Sequence, residues 1–145
     1  LLPDFNDEVD LVKKSLFWVD TSGSIGEEEL NVAYSEIVGA INQFQGKLSG
    51  YIGFFDSMAY KPEEFESVND VLSIRPVGGG GTSFHAPFEY TNENFDREDI
   101  AGIIMLTDGY ATWQDESLAK GIPTLWLVTN EEQVPPWGLH TTLKI

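Results

Sequence analysis

The chain contains no cysteine, so neither a disulfide framework nor a thiolate metal site can be built from it. Basic residues are scarce: eight Lys and Arg stand against 24 Asp and Glu, a formal net charge of −16. Charge of that sign repels phosphate backbones and anionic lipid, so no nucleic acid and no membrane surface is expected as a partner. Long apolar runs are missing too. The longest, residues 101–106 and 124–128, fall far short of the roughly 20 needed to span a bilayer, and the acidic start does not read as a signal peptide. Together these absences set the expectation of a cytoplasmic protein. His-Glu-x-x-His and Gly-x-x-x-x-Gly-Lys-[Ser/Thr] are also absent, so neither zinc-peptidase chemistry nor P-loop nucleotide hydrolysis is expected of these residues.

What the chain does have is material for a core. With 41% hydrophobic and 12% aromatic residues over a length of 145, it should fold, and as one domain. Residues 1–10 read as a polar, acidic linker from an upstream domain, leaving residues 11–145 as the folded unit. Residues 15–19 (Ser-Leu-Phe-Trp-Val) form a short apolar run stopped by Asp20, as in a strand buried on both faces. Thr21-Ser22-Gly23-Ser24 supplies a turn. Ser24 precedes Glu27 by three residues, the spacing of a capping box, so a helix is predicted from near Ile25 to Gly46. Leu30, Ala33, Tyr34, Ile37, Val38, Ile41 and Phe44 give it one apolar stripe.

Residues 50–55 read as a second strand, 57–65 as a bend and short edge strand interrupted by Pro62, and 68–74 as one or two helical turns. Gly78-Gly79-Gly80-Gly81 opens a loop before a helix with Phe84, Phe88 and Phe95 on its apolar side. Residues 101–106, 123–129 and 139–145 read as three further strands. Strands alternating with helices predict an α/β fold: a doubly wound, mostly parallel, Rossmann-like sheet with helices on both faces and one antiparallel edge strand. Ligands of such sheets lie beyond the carboxyl ends of the strands.

Three loops at that edge offer Asp20, Ser22 and Ser24, then Thr82, then Asp108. Two carboxylates and three hydroxyls, without imidazole or thiol, form a hard-oxygen set suited to one divalent cation, Mg²⁺, Mn²⁺ or Ca²⁺. Phe84, Tyr110 and Trp113 neighbour these loops as a rim that could touch a partner. Other readings stay open. Ser24 could serve only as a helix cap, and Asp108-Gly109 only as a turn. The glycine loop could cradle a phosphate, although it lacks a Lys. A Ser24, His85, Asp108 hydrolase lacks the Gly-x-Ser-x-Gly elbow. A Mg²⁺-dependent phosphatase with Asp20 as nucleophile would want a second carboxylate where Ser22 stands, and a scaffold could use the fold without metal.

Asp20-Thr21-Ser22-Gly23-Ser24, Gly81-Thr82 and Thr107-Asp108-Gly109, in that order, resemble the metal-ion-dependent adhesion site of von Willebrand factor type A (VWA) domains. The resemblance implies that Ser22, Ser24 and Thr82 coordinate a cation, that Asp20 and Asp108 bind it directly or through water, and that a partner's acidic residue completes its shell. With Pro123-Thr124-Leu125-Trp126 and Pro135-Pro136-Trp137-Gly138, nearly the whole chain is similar to the C-terminal VWA-like domain of bacterial predicted metal-dependent peptidases. That likeness implies a binding module rather than an enzyme, beside an upstream metallopeptidase-like domain, with a MoxR-type AAA+ ATPase as a candidate partner. The short, Pro-containing segment 130–138 implies that the C-terminal helix of the adhesion receptors, and their affinity switching, are absent.

Overall fold

The computed structural model describes residues 14–43 and 48–144. The proposed linker, Phe44 and the Gly46 helix stop lie outside those residues. The elements in chain order are β1 (Lys14–Asp20), α1 (Glu27–Gln43), β2 (Gly50–Phe55), β3 (Glu63–Phe65), α2 (Val68–Ser73), α3 (His85–Asn94), β4 (Ile100–Thr107), β5 (Thr124–Val128) and β6 (Leu139–Thr142). Short 3-10 turns precede β4 (Arg97–Asp99) and β5 (Glu116–Ala119). They form one sheet in the order β3-β2-β1-β4-β5-β6, parallel throughout except for the antiparallel edge pair β2–β3. This is the predicted α/β architecture.

Side chains alternate across β1, the buried centre of the sheet. Phe17 and Val19 join Ala33, Ile37 and Ile41 of α1 and Val71 of α2 in one core. Leu16 and Trp18 join Phe84, Phe88 and Trp126 in the other, beneath α3. Buried on both faces, the strand needs the uninterrupted apolar run that the sequence shows. The Trp18 indole N–H is satisfied inside that second core by the Thr91 hydroxyl at 3.1 Å, and Thr91 in turn donates to the carbonyl of Pro87 at 2.7 Å.

Between β1 and β4 the winding reverses. The strands before β4 stack to one side of β1 and those after it to the other, so the loops leaving β1 and β4 diverge and open a crevice at their carboxyl ends. Asp20 is the last residue of β1 and Asp108 follows the last residue of β4.

The glycine loop reaches this crevice because Thr21 holds its root. The Thr21 hydroxyl donates to the Val77 carbonyl at 2.6 Å, and Gly78 has a φ of +136° against that hydroxyl, where a Cβ would collide with it. Gly79, at a φ of +125°, has open space around it. Gly79→Ala should therefore cost backbone strain alone, about 1–2 kcal/mol. Gly78→Ala should cost distinctly more, because strain and collision add. Urea denaturation of the two variants checks this order, and equal losses would contradict it.

Candidate functional site

Asp20 and Asp108 are almost completely buried, at 1% and 4% exposure. Although the loops lie at the edge of the sheet, they fold over both carboxylates. Asp20 is fixed from two sides, accepting the Ser22 N–H on Oδ1 at 2.9 Å and the Thr107 hydroxyl on Oδ2 at 2.6 Å. Asp108 accepts the Tyr110 N–H on Oδ1 at 3.1 Å and the Ser24 hydroxyl on Oδ2 at 2.6 Å. Ser22 Oγ lies 3.3 Å from Ser24 Oγ, so the first and last loops share one continuous polar cluster. The Asp-x-Ser-x-Ser spacing produces this because the chain turns at Gly23, whose N–H donates to the Gly80 carbonyl at 2.9 Å.

Ser24 is not the helix cap that its spacing to Glu27 suggested. The first helical residue is Glu27 itself, and the Glu29 carboxylate accepts the Gly26 N–H at 3.2 Å. The Ser24 hydroxyl instead donates 84 residues along the chain, to Asp108. Thr82 lies half-buried in the glycine loop, and its hydroxyl makes no hydrogen bond among the described residues. The tether between Gly23 and Gly80 brings that loop against the serine turn, while Thr82 itself stays outside the hydrogen-bonded cluster.

Burial pushes the Asp20 carboxyl above the usual carboxylate range. Hydrogen bonds from Thr107 and Ser22 oppose the shift and the negative charge of Asp108 adds to it. No Lys, Arg or His makes an ion pair or hydrogen bond with either aspartate among the described residues. The ion pair found there, Lys14 with Glu64 at 3.1 Å, sits at the opposite end of β1. Nor do three His, Cys, Asp or Glu side chains converge anywhere among the described residues. The donor set here is two carboxylates with neighbouring hydroxyls. Two buried negative groups without a counter-charge are costly, and hard oxygens converging on them fit a small divalent cation.

The expected aromatic rim is corrected in part. Tyr110 is exposed, and its hydroxyl accepts the Asn130 side-chain N–H at 2.6 Å. Phe84 is fully buried, with ring centroids 4.9 Å from Trp113 and 5.4 Å from Trp126, so it belongs to the core. Trp113 is half-buried against both rings. The Ser24, His85, Asp108 hydrolase is not assembled: His85 is an exposed first residue of α3, and Ser24 donates directly to Asp108. Sequence reasoning missed Thr107 as the Asp20 partner. It also missed Asp56, a third aspartate at a strand end, buried and bonded to Gly80, Met58 and Tyr60.

Among solved structures, proximal thread matrix protein 1 from the mussel byssus shares the fold, with a TM-score of 0.64 over 90% of this chain at 18% identity. The chain spans 44% of that protein. No protein with a curated description matches. The sequence model described as VWA-like domain (DUF2201) matches residues 16–144, from the third residue of β1 to beyond β6. The chain therefore belongs to the VWA-like domain family.

Proposed function

We propose that this domain is a protein-binding module that holds one divalent cation, Mg²⁺, Mn²⁺ or Ca²⁺, and grips an acidic residue of a partner protein or adjacent domain. The observation that carries this reading is the pair of buried carboxylates, Asp20 and Asp108, linked through Ser22 and Ser24 at the topological switch of the sheet and without a counter-charge among the described residues. Asp20, Ser22, Ser24, Thr82 and Asp108 would hold the ion. When bound, it supplies the missing positive charge and a coordination position for one further carboxylate.

The surrounding groups orient rather than bind. Thr107 and the Ser22 N–H fix the Asp20 carboxylate, and the Tyr110 N–H fixes that of Asp108. Tyr110, exposed beside the cluster, is the rim residue best placed to touch a partner. Binding is favoured over phosphoryl transfer because both Asp20 oxygens are engaged and buried, which makes a poor nucleophile. We read no catalytic group in this domain. Its resemblance to the C-terminal VWA-like domain of bacterial predicted metal-dependent peptidases makes a neighbouring peptidase-like domain and a MoxR-type AAA+ ATPase the first partners to test.

Isothermal titration of the metal-stripped chain with Mg²⁺, Mn²⁺ and Ca²⁺ tests the cation. One-to-one saturable binding is expected, lost in Asp108→Asn, together with capture of a glutamate-bearing peptide that a chelator reverses. Equal affinity in wild type and variant would remove the site, and turnover of a phosphate ester abolished by Asp20→Asn would replace a module with an enzyme.

A further inference from the structure

Three parallel strands at the crevice edge end in aspartate: β1 in Asp20, β2 in the following Asp56 and β4 in the following Asp108. The first and third form the cluster described above; the second makes a different set of contacts. Asp56 is buried, and its Oδ2 accepts the Gly80 N–H at 3.0 Å and the Tyr60 hydroxyl at 3.1 Å, while Oδ1 accepts the Met58 N–H at 2.9 Å. Its own carbonyl accepts the Ser83 N–H at 2.8 Å. One residue thus holds the glycine loop on both sides of Gly81 and Thr82, by its side chain at 80 and its main chain at 83.

The same loop is tied at Val77 to Thr21 and at the Gly80 carbonyl to Gly23, so the Asp56 tether completes a frame around Thr82. Within that frame the Thr82 hydroxyl makes no hydrogen bond among the described residues, although its main chain is anchored before and after. A carboxylate is the side chain this geometry needs. Three donors point at Asp56, and an amide in its place would present its own N–H to one of them. The tuning of the group agrees: burial would raise its pKa, yet the donors from Met58, Gly80 and Tyr60 together hold it below the usual range, opposite to Asp20.

We infer that Asp56 is a positioning residue of the cation site, holding the glycine loop against the serine turn so that the Thr82 hydroxyl is available to the ion. The inference rests on the function proposed above and adds the side chain that makes its third loop rigid. In Asp56→Ala, which unlike an amide can keep no acceptor toward Gly80, the Gly80 tether is lost, Mn²⁺ affinity falls by about tenfold, the lower end for a side chain that orients a metal ligand, and the fold persists. Because Asp56 acts through Thr82, the loss does not add to that of Thr82→Val: in the double variant Asp56→Ala costs nothing further. Tyr60→Phe, which leaves both main-chain donors in place, stays within about twofold of wild type.

The experiment is Mn²⁺ titration of the full chain in this double-mutant cycle, together with amide exchange at Gly80 and Ser83 in the metal-free protein. Unchanged Mn²⁺ affinity in Asp56→Ala, or an equal loss in the Thr82→Val background, overturns the inference. So does rapid Gly80 exchange in the metal-free wild type, a measurement that needs no variant to fold. If the wild type takes up no Mn²⁺, the cation reading fails by itself. The clamp is then decided by exchange alone: Gly80 slow in wild type and fast in Asp56→Ala supports it, and equal rates overturn it.

Discussion

Asp20→Asn is expected to abolish cation binding, weakening it on the order of 100-fold or more by removing one of two charged ligands, and at the same time to stabilise the metal-free fold. The second half follows from the buried charge. Asp20 holds its proton more tightly folded than unfolded, because burial and the nearby Asp108 charge outweigh its hydrogen bonds. A group with a raised folded pKa favours the fold below its unfolded titration range, and that contribution is lost as pH rises through the folded one. Relative to Asp20→Asn, metal-free wild type should therefore lose stability from acid toward neutral pH, the contributions of the other carboxylates, Asp56 among them, being common to both. At neutral pH the variant gains about 0.5–2 kcal/mol, the scale of relief found when a functional site gives up strain. Thermal unfolding in chelator, repeated over that pH range and then with excess Mg²⁺, reads both halves. A variant less stable than wild type in chelator, or one that Mg²⁺ still stabilises, would contradict the account.

Trp126→Ala should be the most damaging single change in the second core, costing about 3–5 kcal/mol and threatening the fold outright. Trp126 is fully buried on β5, with ring centroids 5.4 Å from Phe84, 6.1 Å from Phe88, 5.1 Å from Trp113 and 5.5 Å from Trp137. Its indole N–H makes no hydrogen bond among the described residues, so the loss is one of packing. Trp126→Phe, which keeps most of the ring and forfeits no partner, should cost far less. Trp113 leans on Trp126 five residues after Asp108, and the Trp137 N–H holds the Gln114 carbonyl at 2.8 Å. The loop that carries Asp108 away from β4 is thus anchored by this cluster, and Trp126→Phe should leave cation affinity close to wild type. Guanidinium denaturation of the two variants checks the order, and comparable losses would show that the N–H matters after all.

The architecture was legible because buried parallel strands must be apolar on both faces, and residues 15–19 and 101–106 are. Asp20 and Asp108 stood out for the same reason, as charges ending runs that could not contain them. What a local pattern could not reveal was where a short side chain finds its partner. The spacing of Ser24 and Glu27 is that of a capping box, yet the acceptor of Ser24 lies on another strand. Phe84, adjoining a site loop, looked available to a partner. The connection after β4 folds back and lays Trp113 over it, a long-range event that no helical periodicity encodes. Asp56 did leave a signal, since Phe54-Phe55-Asp56 repeats the pattern of an apolar strand closed by an aspartate. It went unused because its partners, Gly80 and Ser83, contribute main-chain groups that carry no residue identity.

The bonds that close the cluster, Ser24 to Asp108 and Thr107 to Asp20, join residues 84 and 87 positions apart. Loop closure over such separations is slow and entropically unfavourable, so these contacts belong among the late events of folding, after β4 has docked beside β1. A nascent chain ending before residue 108 cannot contain the cluster, whatever helices it has already formed. On the proposed function, an ion held there would recognise only the finished sheet, so its uptake would report complete folding and its free concentration would set part of the native state's stability.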